Sequence, residues 1–182
     1  MKTAFIENTI NYDGSQLSPL YAYKNHKVIG DSIVAFTGKC DVSFEHMVDA
    51  EDLVVGALIK SDSMLHFIVE FFQPQLLAAV SLQRLLVAIA QNIILRSGHS
   101  LRRSGDDLYL GEKKLSVSIA SVSSVSAMIH LGLNIENKGT PVATCSLTDL
   151  GLNARTFAEQ LMREFSEEFV SIVEATQKVK PL

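Results

Sequence analysis

From residue 76 the chain carries twenty residues, LLAAVSLQRLLVAIAQNIIL, in which apolar positions recur every three or four. Stepping from Leu82 collects Leu85, Leu86, Ile89, Ala90 and Ile93 on one face. That spacing predicts a buried amphipathic helix over Leu76–Leu95, with Gly98 as the glycine that ends it. A second helix is predicted over Arg155–Lys178, where Phe157, Leu161, Phe165 and Phe169 are spaced by four. The rest reads as short strands. Lys114–Ser121 alternates, Leu115, Val117 and Ile119 pointing one way and Ser116, Ser118 and Ala120 the other. Leu108–Leu110 joins it through a tight turn at Gly111–Lys113, and Ser100–Arg103 and Met128–Ile135 are further strands. Met64–Phe72 is β-branched and aromatic and ends at Gln73–Pro74; it reads as a strand, with a short helix as the alternative. In the first third, Ala4–Ile6, Val28–Ile29 and Ile33–Phe36 are strand candidates, the last closed by Thr37–Gly38, with a loop at Asn11–Gly14. Leu147–Gly151 is a short connector. The class is α+β: a mostly antiparallel sheet backed by helices.

Composition narrows the context. With 182 residues, four prolines and no repeat or low-complexity tract, one domain over 1–182 is expected. A chain of this length buries roughly 70% of its unfolded surface and needs no disulfide or metal to fold. The mean hydropathy of +0.21 raises the question of a membrane span, and Leu76–Leu95 has the length for one. Gln83, Arg84, Gln91 and Asn92 interrupt it, Arg84 near its middle, so no membrane is expected. Lys+Arg 16 against Asp+Glu 20, net −4, argues against a nucleic-acid partner. Cys40 and Cys145 form no metal or redox spacing and read as reduced thiols. The opening MKTAFIENTI carries no run resembling a signal peptide, and a cytoplasmic protein is expected. The apolar content, with Met64–Phe72 as a candidate exposed strand, leads to the expectation of a homodimer.

Two groups invite a chemical reading. Glu45–Asp52 packs five potential ligands into eight residues, so His46, Asp49 and Glu51 could hold a divalent ion. A solvated acidic loop with Asp49 capping a helix is the commoner outcome. His66 and Glu70, four apart, share a face in strand or helix and read as a satisfied structural pair, and His130 reads as a core histidine.

The run from the first long helix onward resembles the catalytic module of biotin protein ligases. Arg102–Arg103–Ser104–Gly105–Asp106–Asp107–Leu108–Tyr109–Leu110 followed by Lys113–Lys114–Leu115 is similar to that family's Trp-Pro-Asn-Asp-Leu-Tyr-Leu run, turn and Arg-Lys-Leu-x-Gly. His130–Leu131–Gly132–Leu133–Asn134–Ile135 stands where the family carries Gly-x-Gly-Ile-Asn-Val, and Ser146–Leu152 resembles the module's ending. The paired arginines also resemble a lipoate-ligase segment. The ordered set spans roughly Met64 to Phe169, and the whole chain looks like a domain-of-unknown-function family of the same fold type. The resemblance implies a fold related to class II aminoacyl-tRNA synthetase cores. It implies a ligase or acyltransferase acting on a small carboxylic acid, with ATP and magnesium as cofactors and an acyl-adenylate between.

Carried over residue by residue, Lys114 is the catalytic cation and Asp107 stands near magnesium and phosphate. Asn134 reads adenine, Asp106 replaces an asparagine, and Arg102 and Arg103 clamp phosphate or carboxylate. Cys40 and Cys145 are the candidate acyl acceptors that related transferases suggest, with buried thiols the commoner case. Lys114, Asp106 and Asp107 are expected to converge, joined by Arg102 or Arg103, on a strand whose polar face opens into a cleft. The other outcome for Lys114 is an edge-strand lysine in a surface ladder. Two departures stand out. Phe36–Thr37–Gly38–Lys39–Cys40 has one glycine where the family has a Gly-Arg-Gly-Arg-x-Gly loop, and Val117 stands at the closing glycine. They motivate an alternative function, a non-catalytic module that binds a nucleotide or acyl metabolite.

Overall fold

A computed structural model describes residues 1–181. Strands β1 (Lys2–Phe5), β2 (Ser32–Asp41), β3 (Lys60–Phe71), β7 (Ser116–Val122) and β8 (Ala127–Asn134) form a sheet in the order β1-β2-β3-β8-β7. Only β1 and β2 are parallel in it. A small second sheet holds β4 (Arg102–Ser104), β5 (Asp107–Leu110) and β6 (Lys113–Lys114). Four helices complete the fold: α1 (Tyr21–His26), α2 (Ala50–Val55), α3 (Leu76–Arg96) and α4 (Ala154–Gln177). The α+β class expected from the patterning is what forms.

Period-two alternation sorts the main sheet into two faces. Leu65, Phe67, Val69 and Phe71 of β3 join Ile33 and Ala35 of β2 and Ala127, Ile129, Leu131 and Leu133 of β8 beneath α3 and α4. The intervening residues, Met64, His66, Ile68 and Glu70 in β3, lie on the opposite face with Val34, Phe36 and Cys40. On α4 the predicted phenylalanine and leucine stripe is buried, all four residues at 5% exposure or less. On α3 the stripe is rotated from the expected one. Leu86, Ala90 and Ile93 are buried as expected, but Leu82, Leu85 and Ile89 are half-buried, and Ala79, Gln83, Val87 and Ile94 take the inside. The polar Gln83 is tolerated there because its amide donates to Asp106 Oδ2 and Ser118 Oγ, both at 2.8 Å. This helix has the length and apolarity to cross a membrane, and here it packs on β7, β8 and α4.

Several elements depart from the sequence expectation. β2 does not close at Thr37–Gly38 but runs on to Asp41, with an irregularity between Gly38 and Cys40. The residues at Asn11–Asp13 lie alongside it, Tyr12 N–H donating to Lys39 O and Asp41 N–H to Tyr12 O. Gly38 makes that approach possible, since a Cβ there would stand 2.0 Å from the Ile10 carbonyl oxygen. The single run expected at Lys114–Ser121 is split at Leu115: Lys113–Lys114 pairs with β5, and Ser116 onward pairs with β8. Met64–Phe72 is a strand, but an interior one between β2 and β8. The argument for a homodimer from an exposed strand at that position therefore has no basis.

His66 and Glu70 share a face but do not pair with each other. Glu70, 3% exposed, accepts Leu20 N–H at 2.8 and 3.0 Å and the Ser126 hydroxyl at 2.6 Å. Leu20 is held at φ 65°, a left-handed conformation that leucine adopts only when its surroundings impose it. Glu70→Ala should therefore cost about 3 kcal/mol, because buried donors lose their partner and the turn before α1 loses its anchor. The urea midpoint of the purified variant measures this, and a change below about 1 kcal/mol would contradict it.

Candidate functional site

Two cavities of about 220 Å³ each open on the face of the sheet opposite α3 and α4. Asp52, Ile59, Lys114 and Val117 line both, so the two are chambers of one cleft with Lys114 at their junction. The chain between β2 and β3 walls the cleft, contributing His46, Asp49 and Asp52 to the first chamber and Ala57 and Leu58 to the second. The second chamber is completed by Cys40, Met64, Asn134 and the Thr140–Thr144 loop.

Lys114 is fixed through its backbone. Its N–H donates to Ala143 O at 3.0 Å, and its carbonyl accepts Cys145 N–H at 3.1 Å and the Asn134 amide at 3.3 Å. Its ammonium lies 2.9 Å from Asp107 Oδ2, which also accepts the Tyr109 hydroxyl at 3.2 Å. The turn at Gly111 brings these residues together: Tyr109 stands opposite Lys114 in the β5–β6 ladder, and Gly111 adopts φ 59°. Asp52 lies close enough for both Lys114 and Asp107 to act on its charge. Burial first, and then repulsion from Asp49, raise the Asp52 carboxyl above its ordinary range, with Lys114 acting against them.

The other sequence-derived residues fall in different places. Asp106 lines the first chamber, but its carboxylate turns to α3. It accepts Gln83 and Ser118 and lies 3.0 Å from Arg84 Nη1, an ion pair off the line of a directed hydrogen bond. Arg102 and Arg103 do not join the cluster. Both are exposed on the short strand β4, Arg102 stacked over the Tyr109 ring at 4.5 Å and Arg103 donating to Gly105 O at 2.9 Å. The arginine that meets Asp106 is Arg84, projecting from α3. Asn134, 5% exposed, spends its amide on the carbonyls of Lys114 and Cys145, so its observed contacts position the lysine segment.

His46, Asp49 and Glu51 are not assembled into a ligand set. Asp49 caps α2, accepting Glu51 N–H at 2.8 Å and Asp52 N–H at 3.3 Å, and His46 Nδ1 faces the Ser43 hydroxyl. Glu51 is exposed. Among the described residues no three His, Cys, Asp or Glu side chains stand close enough to hold an ion by themselves. The strand expected to turn a polar face to the cleft lines it with both kinds of residue. Val117, Ser118 and Ile119 line the first chamber and Ser116 and Val117 the second, while the Ser116 hydroxyl accepts Leu108 N–H at 2.9 Å and Ser118 is engaged by Gln83. The polar side chains were claimed by β5 and α3. Neither cysteine is an activated nucleophile. Burial pushes the Cys40 thiol up to about 12 and raises that of Cys145.

The floor of the first chamber holds Tyr12, which does not stand out in the sequence, and His130, which reads there as a core histidine. Tyr12 stacks on His130 with ring centroids 3.7 Å apart and an interplanar angle of 10°. Behind it, His66 Nδ1 lies 3.1 Å from His130 Nε2, and His66 Nε2 lies 3.3 Å from the Gly38 carbonyl oxygen. Both histidines are buried, at 0% and 3% exposure. Burial depresses the His66 imidazole to about 4 and carries His130 well below its ordinary value, with His66 adding to the latter shift. The sequence singles out His66 only through its spacing from Glu70. Tyr12 carries no such signal, because only tertiary contacts bring it to the cleft, and Arg84 meets Asp106 from α3 without lining either chamber.

Comparison with known proteins agrees with this architecture. A protein of unknown function from Pyrococcus horikoshi superposes with a TM-score of 0.97 at 41% identity, covering 100% of this chain and 98% of that one. A biotin protein ligase variant from Aquifex aeolicus, solved with biotin, superposes with a TM-score of 0.62 at 12% identity over 96% of this chain and 72% of that one. Protein Ta0514 from T. acidophilum, a proposed lipoate protein ligase solved with lipoic acid, gives 0.60 at 16% identity over 91% and 84%. At those identities the two ligase likenesses establish the shared fold. The family model described as "Domain of unknown function (DUF366)" matches residues 1–180, so the chain belongs to the DUF366 family and carries the fold of the biotin and lipoate ligase catalytic module.

Proposed function

We propose that the protein activates a small carboxylic acid with a nucleotide, in the manner of an acyl-adenylate-forming ligase, within the cleft around Lys114. The observation that carries this reading is the position of Lys114. One ammonium on a backbone fixed at three points is shared by two adjoining chambers. In the reaction an acid oxygen attacks the α-phosphorus, the bond to the bridging oxygen breaks, and pyrophosphate leaves with that electron pair. Attacker and target are both anionic, and a pre-positioned cation between them lowers the barrier. Activation requires two ligands side by side, which a two-chambered cleft suits.

The wall is rich in carboxylates: Asp49, Asp52, Asp106 and Asp107 line the first chamber. A nucleotide therefore fits as its magnesium complex. Hard oxygen donors suit that ion, and one or two carboxylates with the phosphates are its usual protein complement. Asp107 and Asp52 would hold it, and the ion would supply positive charge beside the phosphates.

A second reading, a module that binds nucleotide or acyl metabolite without turnover, is favoured by one observation. Phe36–Cys40 lies inside β2, so the place of the family's phosphate-covering loop is taken by paired strand, irregular only between Gly38 and Cys40. Exchange of labelled pyrophosphate into ATP separates the two. Exchange that needs both magnesium and one of a panel of short and medium acids, biotin and lipoate is the expected result. Thermal stabilisation by the same ligands without exchange would establish the binding module instead.

A further inference from the structure

Hydrogen-bond logic fixes the state of the aromatic floor. A carbonyl oxygen can only accept, so His66 Nε2, 3.3 Å from Gly38 O, carries the proton. His66 is neutral at ordinary pH because it is buried without an anionic partner, and its Nδ1 is then a lone-pair acceptor. His130 Nε2, 3.1 Å away, must be the N–H that donates to it. Neutral in turn, His130 is left with Nδ1 as a bare acceptor. That nitrogen has no hydrogen-bond partner among the described residues, and neither does the hydroxyl of Tyr12 stacked on the same ring. Both residues are 3% exposed and both line the first chamber. Neither atom is among the side-chain atoms sealed from solvent without a partner, so each faces the water of the chamber, which a ligand group can replace. Val42 and Val117 pack on the cluster that holds Tyr12, and the chamber's carboxylates and Lys114 lie elsewhere on its wall.

We propose that this floor is a specificity subsite for an uncharged N–H or O–H donor at the far end of the ligand, received by His130 Nδ1 with Tyr12 stacked beside it. The Gly38–His66–His130 relay is what makes it an acceptor, since it locks the tautomer from behind. The imidazole pair is itself neutral, so the donor it receives need carry no charge. Combined with the acid-activating reading, on which this point rests, the substrate class is a short carboxylic acid ending in an amide-like donor, not a plain hydrocarbon.

Calorimetric titration without nucleotide tests the subsite by itself. The probes are the monoamide of adipic acid, the N,N-dimethyl form of that amide, and heptanoate, with the wild-type protein and the variants His130→Leu, His130→Asn and Tyr12→Phe. The monoamide should bind at least about tenfold more tightly than either other acid, the weight of one buried hydrogen bond. His130→Leu should erase the difference, and His130→Asn, whose amide oxygen can stand in for Nδ1, should restore part of it. Should His130→Leu fail to fold, Tyr12→Phe, which keeps the stack, should still bind the monoamide more weakly by severalfold. Equal affinities in the wild-type protein, no binding of any of the three, or a preference that survives in folded His130→Leu would overturn the subsite. Monoamide binding without pyrophosphate exchange would uphold the subsite and defeat the ligase reading. Exchange driven by heptanoate as well as by the monoamide would do the reverse.

Discussion

Lys114→Ala should reduce acid-dependent pyrophosphate exchange by at least about a thousandfold, the scale of losing a fixed charge at a reacting phosphate. The same substitution should leave the ligand-free protein nearly as stable as before. The ion pair to Asp107 is partly exposed, with side chains at 30% and 24%, and such pairs contribute under about 1 kcal/mol. The backbone bonds that hold residue 114 do not involve its side chain and survive the change. Lys113→Ala is the control, since Lys113 is exposed and lines neither chamber. A folded Lys114→Ala protein that still exchanges pyrophosphate at close to the wild-type rate would show that the lysine is a ladder residue only.

Acid should weaken the fold well before the carboxylates titrate. The His66 imidazole stands near 4 in the native state against 6.5 when unfolded, and His130 is depressed as well. Between those values the unfolded chain binds protons that the native state refuses. Stability is therefore complete above about 6.5 and falls as the pH drops from there toward 4. At about 1.4 kcal/mol per unit for each histidine, His66 alone removes about 2 kcal/mol between pH 6.5 and pH 5, and His130 adds to it. His26, also depressed by burial, acts in the same sense, whereas Asp52, raised, opposes it weakly. Tyr12, the remaining titratable ring against the pair, is shifted upward and stays protonated throughout. Urea midpoints at pH 7.0 and pH 5.0 measure the slope, and His66→Gln should flatten a large part of it. A wild-type midpoint independent of pH over this window would contradict the neutral, buried pair.

The long helices were legible from periodicity because a stripe of large apolar side chains marks the face that packs against the rest of the fold. The Phe157–Phe169 stripe of α4 is read directly from it, whereas the strand at 60–71 is legible from its β-branched and aromatic make-up and its interior place is not. The meeting of Lys114 with Asp107 was legible too, since a glycine turn of known length sets which residues stand opposite one another. Helices α1 and α2, six residues each, are too short for a period to emerge. The rotation of α3 was hidden for another reason: Gln83 belongs inside only because Asp106 and Ser118, more than twenty residues away in sequence, satisfy it there.

The same holds for the cleft. Sequence alone determined the fold class, the two long helices and the residues at the β5–β6 turn, all of them consequences of local spacing. Tertiary structure decided which arginine approaches the carboxylates, which face of β7 meets the cleft, and that Tyr12, His66 and His130 stack at its floor. Those choices depend on burial, which removes water as a partner and leaves each polar group to whatever neighbour the packing supplies. His130 reads in sequence as one polar residue in an apolar strand. It becomes a fixed acceptor only because His66 stands behind it, with the His66 Nε2 held by the Gly38 carbonyl.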